Sequence, residues 1–326
     1  MSYKVIPPKH AVEVVLSLEQ GLLLPANLLC RFIIESCMAR AQALHPITIC
    51  HYLVEGSHIH FFIYVEDPET LVHFTERFKT ETAHYINSML GRKKRTVWCK
   101  SYSCTPVLTI SRAIEKITYI YTNPAKDGLE TSIENYPGLS SWAQFKSKRY
   151  RKLLKRLHRP MIPYLPERFY SKYLYKRHMR ELKGKSTSAH LLTLQPDAWM
   201  NYFGITNPEE INKINQQITE SIKNKELEFE KIRQEQGKSV IGSNALKATH
   251  LDPDFMPHRT GKKMWCLCDN KDLRIAYIKW AKEIKNKARK VYVRWKKGDF
   301  SVSYPPGVFP PSMPKLSNMT SLSCNY

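Results

Sequence analysis

Residues 58–65, His-Ile-His-Phe-Phe-Ile-Tyr-Val, are β-branched or aromatic almost throughout, and they follow the turn-like Glu55-Gly56-Ser57. Such a run predicts a buried strand, folded back as a hairpin on residues 47–54, Ile-Thr-Ile-Cys-His-Tyr-Leu-Val. Side chains alternate between the two faces of a strand, so His58 and His60 point the same way and Ile59 points to the other face. A buried apolar strand has little reason to carry two polar rings on one face unless something occupies that face. Two imidazoles fixed in this way can hold a divalent metal or orient a phosphate. The plainer reading is a pair of hydrogen-bonded, half-buried histidines.

The flanking elements follow from their periodicity. Residues 11–18 predict a strand with partial alternation. From Pro25 to about Leu44, apolar residues recur at helical spacing (Leu28, Leu29, Phe32, Ile33, Cys37, Ala41), with Pro25 suited to the first turn. The order to this point is β-α-β-β. Residues 68–89 predict a second helix capped by Asp67 and ended by Gly91. The basic loop Arg92-Lys93-Lys94-Arg95 then leads into a strand expected over 96–102, which carries Trp98 and Tyr102. A basic loop beside exposed aromatic rings is a contact for phosphates and bases, although basic loops usually mark only a solvated edge.

Thr109 to Thr122 has helical periodicity through Ile110, Ala113, Ile114, Ile117 and Ile120, and it is expected to stop at Asn123-Pro124. Tyr119 and Asn123 stand one turn apart on one face, whereas Tyr121 faces well away. A phenol and a carboxamide so placed can be a nucleophile and a metal ligand, or a tyrosine that packs and an asparagine that caps.

Charge narrows the partner. Lys and Arg number 51 against 29 Asp and Glu, a net charge of +22, interleaved with 18 Tyr and 6 Trp. That balance fits a polyanion with faces to stack on, which favours nucleic acid over membrane. The longest apolar stretch, residues 21–30, contains Pro and Asn and is too short to span a bilayer. Eight scattered cysteines without a basic-plus-apolar leader fit a reducing cytoplasm.

Residues 146–185 hold fifteen Lys or Arg against two Glu, with tyrosines among them. This density predicts a nucleic-acid groove beginning with Lys148, Arg149, Arg151, Lys152, Lys155 and Arg156. We therefore divide the chain into residues 1–145, a basic aromatic-rich linker over 146–190, and a mostly helical region over 191–326. The last contains expected helices at 207–236 and 271–290 and a proline-rich tail. Cys266-Leu267-Cys268 lacks a second pair at ligand spacing and is a weak zinc signal.

Several stretches together resemble the REP-associated tyrosine transposases, of the HUH single-tyrosine transposase superfamily of bacterial insertion sequences. They are His58-Ile59-His60, Phe78-Lys79-Thr80, Val97-Trp98, residues 119–129 from Tyr119 through Asn123-Pro124 to Leu129, and Tyr136-Pro137-Gly138-Leu139. The resemblance covers roughly residues 5–150. It implies an α+β, ferredoxin-like HUH domain, with an antiparallel central sheet bearing the histidines and helices packed on one face. His58, His60 and Asn123 would then hold Mg²⁺ or Mn²⁺. Tyr119 would attack a phosphate of single-stranded DNA at hairpin-bearing repetitive palindromic sites, forming a 5′-phosphotyrosine bond that a 3′-hydroxyl later reverses. The resemblance further implies a protein acting at the nucleoid and leaves room for a homodimer. A hairpin-binding relative of the same fold that no longer cuts is the alternative.

Overall fold

The structure, a computed structural model, describes residues 5–19, 21–89, 95–157, 186–249, 252–255 and 264–311. Arg92, Lys93, Lys94 and most of the basic run lie outside these residues.

A four-stranded antiparallel sheet organises the first half. Its strands are β1 (His10–Ser17), β3 (Thr48–Val54), β4 (His58–Val65) and β5 (Ser103–Val107), in the order β3-β4-β1-β5. The His-bearing strand is thus internal, paired with β3 through the expected hairpin and with β1 in a register that sets Val15 opposite His60. The period-two pattern sorts the side chains. Val12, Val14, Leu16, Ile59, Phe61 and Ile63 enter one core, and Ala11, Phe62 and Val107 enter the other.

Both faces are covered, which corrects the expectation of helices on one face. The first core is closed by α1 (Leu28–Leu44) and α2 (Pro68–Met89), clamped together by buried Arg40, whose Nε donates to Glu81 at 2.5 Å. Asn27, accepting from the Cys30 amide at 2.9 Å, starts α1 three residues after Pro25, because a side-chain acceptor there satisfies an end amide that proline cannot. Asp67 caps α2 as expected.

The second core is closed by α3 (Ile110–Lys126), by a short 3₁₀ turn (Ala198–Phe203) carrying buried Trp199 and Met200, and by α4 (Trp142–Ser147). The helix α3 runs through Pro124 rather than stopping before it. The missing amide forfeits one helical bond in the final turn, and the chain closes there with Asp127 N donating to Asn123 O at 2.8 Å. Tyr121 is buried, its oxygen 2.8 Å from both His51 Nδ1 and Ser141 Oγ, and burial pushes its phenol up.

The expected strand over 96–102 is instead loop. Trp98 forms only an isolated bridge to Leu18, and regular pairing begins at Ser103. A small β2 (Gly21–Leu23) pairs elsewhere, with a late strand, β8 (Asp252–Phe255). The start of the basic run is structured: β6 (Arg151–Leu157) pairs with β7 (Ser186–Thr193). Leu154, Leu192 and Leu194 pack into the first core, and Gln42 on α1 exchanges two hydrogen bonds with the Thr193 backbone.

Beyond it, α5 (Pro208–Glu235), capped by Asn207, lays Ile214, Ile218 and Ile222 on α3, while Leu227 and Ile232 stay exposed. After a short α6 (Ser243–Ala248), α7 (Lys271–Lys296) buries only Ala281 and Ala288, so its contact stripe lies to one side of the larger apolar residues Leu273, Ile275 and Trp280. Cys266 and Cys268 pack with Leu108 and Tyr277, a structural use of the Cys-x-Cys. The proline-rich end straps back. Ile6 N donates to Gly307 O at 3.1 Å, and a Cβ at position 307 would meet the Ile6 carbonyl. Among the described residues, no helix is long and apolar enough to cross a membrane.

Candidate active site

The α3 side of β4 is where the polar groups gather. His60 is buried, and its Nδ1 donates at 3.0 Å to Glu13, its diagonal neighbour across the β1–β4 register. Burial works against charge on Glu13. The His60 hydrogen bond and Lys116 Nζ at 3.1 Å outweigh it and hold the carboxyl below the usual carboxylate range. An ionised acceptor on Nδ1 fixes the tautomer, leaving the Nε2 lone pair free to bind. Asn123 Nδ2 lies 3.3 Å from that Nε2.

His58 is held differently. Its Nδ1 meets Ser57 Oγ at 3.0 Å and its Nε2 meets Glu55 Oε2 at 3.1 Å. Burial drives the two groups toward neutrality. It lowers the imidazole to about 3, helped by His60, and raises the Glu55 carboxyl to about 8, helped by Asp127. The contact is therefore a hydrogen bond from a protonated acid to a neutral ring and not an ion pair. The His58 and His60 ring centroids are 4.7 Å apart.

These donors fit a hard cation. One ligand atom from each of Glu55, His58 and His60 can be chosen so that all lie within 4.8 Å of one another. Two buried oxygens here, Glu55 Oε1 and Asn123 Oδ1, have no hydrogen-bond partner among the described residues. Turning the Asn123 amide over would exchange its nitrogen for oxygen on the His60 side, where a ligand would be required.

Tyr119, half-buried on α3, faces the same point, its ring centroid 6.0 Å from that of His60 at an interplanar angle of 80°. Two ammonium groups bracket it. Lys116 Nζ is 4.4 Å from the ring centroid, and Lys126 Nζ donates to the phenol oxygen at 3.4 Å. Partial burial opposes the Lys126 charge, but Asp127 and the Tyr119 oxygen hold it above the ordinary lysine range.

The structure thus brings together His58, His60, Asn123 and Tyr119. The other expected contacts divide. Arg95, Lys148, Arg149 and Arg151 are exposed, and Lys152 reaches Glu35 on α1 at 2.5 Å, anchoring β6. Lys155 and Arg156 lie on β6, their side chains outside the described residues. Trp98 is corrected from surface to core: it is 4% exposed and donates Nε1 to Thr82 Oγ1 at 2.8 Å.

Glu55, Glu13, Lys116 and Lys126 escaped the sequence reading. A lone carboxylate in the apolar runs 11–16 and 49–55 was the available signal for the acids, and spacings of three and seven residues from Tyr119 for the lysines.

The antiparallel sheet, with an inner strand that presents two imidazoles to a tyrosine-bearing helix, is the arrangement that the resemblance implies. Residues 30–123 match the family model described as "Transposase IS200 like", and this segment contains all four convergent residues. Among solved structures, a REP-associated tyrosine transposase bound to a REP hairpin is similar over 45% of this chain and 85% of that one, at 14% identity and a TM-score of 0.37. No curated protein matches the chain.

Proposed function

We propose that the protein is a transposase-type strand transferase, acting in the cytoplasm at the nucleoid, that cuts and rejoins single-stranded DNA at hairpin-bearing sites through a 5′-phosphotyrosine intermediate. The observation that carries this reading is that the Tyr119 and His60 rings lie 6.0 Å apart beside Asn123 and Glu55, each of which has a buried oxygen with no hydrogen-bond partner among the described residues. His58, His60 and Asn123 would hold a divalent ion, magnesium or manganese, with Glu55 as an additional oxygen ligand. Bound there, the ion supplies Lewis-acid polarisation of the scissile phosphate.

The chain's own groups do the rest. Glu13 keeps His60 in the required tautomer, and Ser57 does the same for His58. Tyr119 attacks phosphorus, the O3′ of the neighbouring nucleotide leaves, and its return attack on the phosphotyrosine rejoins a strand without a nucleotide cofactor. Lys126 and Lys116 stabilise the negative charge that the phenol oxygen carries as it attacks.

The test is incubation with a labelled DNA hairpin bearing single-stranded flanks and Mg²⁺ or Mn²⁺, followed by denaturing electrophoresis. Wild-type protein gives a covalent adduct, Tyr119→Phe gives none, and Tyr121→Phe retains it. Cutting without an adduct would overturn the tyrosine mechanism in favour of attack by water, and tight binding without cutting would make the protein a passive hairpin binder.

A further inference from the structure

A cleft of about 450 Å³ opens beside the tyrosine, between α3 and the segment leading into α7. One wall carries Arg112, Lys116 and Tyr119, and the other carries Trp265, Arg274 and Ile278. Resting on the function proposed above, we infer that this cleft binds a nucleotide of the single strand flanking the scissile phosphate, its base stacked on Trp265 and its phosphate met by Lys116 and Arg274.

The volume falls within the range of small-molecule sites, about 300–1,000 Å³. The lining combines an aromatic face with cations, the pairing by which single-stranded nucleic acid is held irrespective of sequence. Its acidic member, Glu115, is engaged by Arg112 at 2.5 Å and Lys116 is paired with Glu13 at 3.1 Å, which leaves Arg274, with no ion-pair partner among the described residues, as the uncompensated positive charge of the lining. Trp265 is 38% exposed, an unusual position for an indole, and Lys285 Nζ stands 3.8 Å from the centroid of its ring, holding it by cation–π attraction.

The platform beneath Trp265 is fixed. Leu267 N donates to Pro106 O at 2.8 Å and Leu108 N to Leu267 O at 2.9 Å, so the segment runs along the margin of β5. Ser111 donates to Asp269, and Cys266 and Cys268 pack around Leu108. Because Tyr119 forms part of the opposite wall, a phosphate placed for attack by its oxygen delivers an adjoining nucleotide to this cleft. The C-terminal region thereby completes the site that the sheet begins.

The test uses the full-length Tyr119→Phe protein, which cannot form an adduct, and fluorescence anisotropy with two labelled single strands: twelve thymidines, and a twelve-phosphate abasic strand of equal charge. The base-bearing strand binds about tenfold more tightly. Trp265→Ala removes most of that preference and leaves abasic binding unchanged. Trp265→Phe keeps most of it, and Arg274→Ala weakens both strands alike. Preference for bases undiminished in Trp265→Ala, or lost equally in Trp265→Phe, overturns the assignment. Adduct formation is scored separately on wild-type protein, so failure of the tyrosine chemistry and failure of the cleft are told apart.

Discussion

Replacing Glu55 by Gln tests the electrostatics of the candidate metal site without touching Tyr119. Glu55 is 4% exposed, and burial, reinforced by Asp127, raises its carboxyl from 4.5 to about 8. Its folded value lies above its unfolded one, so between these limits the folded chain retains a proton that the unfolded chain has released. Stability therefore falls as pH rises through the window, by roughly 1.4 kcal/mol per unit. His58, lowered from 6.5 to about 3, acts in the opposite sense but only below pH 6.5. Between pH 6.5 and 8 the Glu55 contribution stands alone of the two, at about 2 kcal/mol. Urea unfolding in the presence of EDTA should show wild-type protein losing that amount relative to Glu55→Gln across the interval. Saturating Mn²⁺ should reverse the order, because a ligating carboxylate must shed its proton, and an ion at about one hundred times its dissociation constant adds about 2.7 kcal/mol. Parallel pH profiles for the two proteins without metal would refute the reasoning.

Glu13→Gln removes the ionised acceptor from His60 Nδ1 and the counter-charge of Lys116. Calorimetric Mn²⁺ affinity should fall by about tenfold or more, and an unchanged affinity would show that Glu13 does not position the ring. Arg149→Ala combined with Arg151→Ala should weaken binding of any single strand and flatten the log–log salt dependence by about 1.4, whereas an unaltered slope would remove these exposed residues from the phosphate path. Ile218→Ala, at the buried contact of α5 with α3, should cost about 2–5 kcal/mol of unfolding free energy, and a loss under 1 kcal/mol would mean that α5 supports the tyrosine helix only weakly.

The site was legible in the sequence where periodicity alone decides orientation. Strand alternation put His58 and His60 on one face, and helical spacing put Tyr119 with Asn123 and apart from Tyr121, which the structure buries against His51 and Ser141. Partners contributed across tertiary contacts were not legible in this way. Glu13 reaches His60 only because β1 lies next to β4, a neighbour relation that local pattern does not encode. Trp98 looked like a base platform because a basic loop precedes it, yet burial under α2 with its indole nitrogen satisfied by Thr82 was the stronger outcome for so large an apolar ring. On α7 the fully buried side chains are the small Ala281 and Ala288, with Tyr277 and Ile284 packed beside them, while Leu273, Ile275 and Trp280 stay exposed.

The margins of the sheet have a consequence for self-association. Along the outside of β3, Val54 N donates to Leu139 O and Gln195 N to Ile49 O, and along the outside of β5 the backbone of Leu267 takes both bonds offered by Pro106 and Leu108. Amide and carbonyl groups that a second copy would need for strand-to-strand extension are already spent within the chain. Strand-to-strand pairing of two molecules at these stretches of the sheet would first have to peel the later segments away, and peeling the one on β5 would dismantle the wall that carries Trp265.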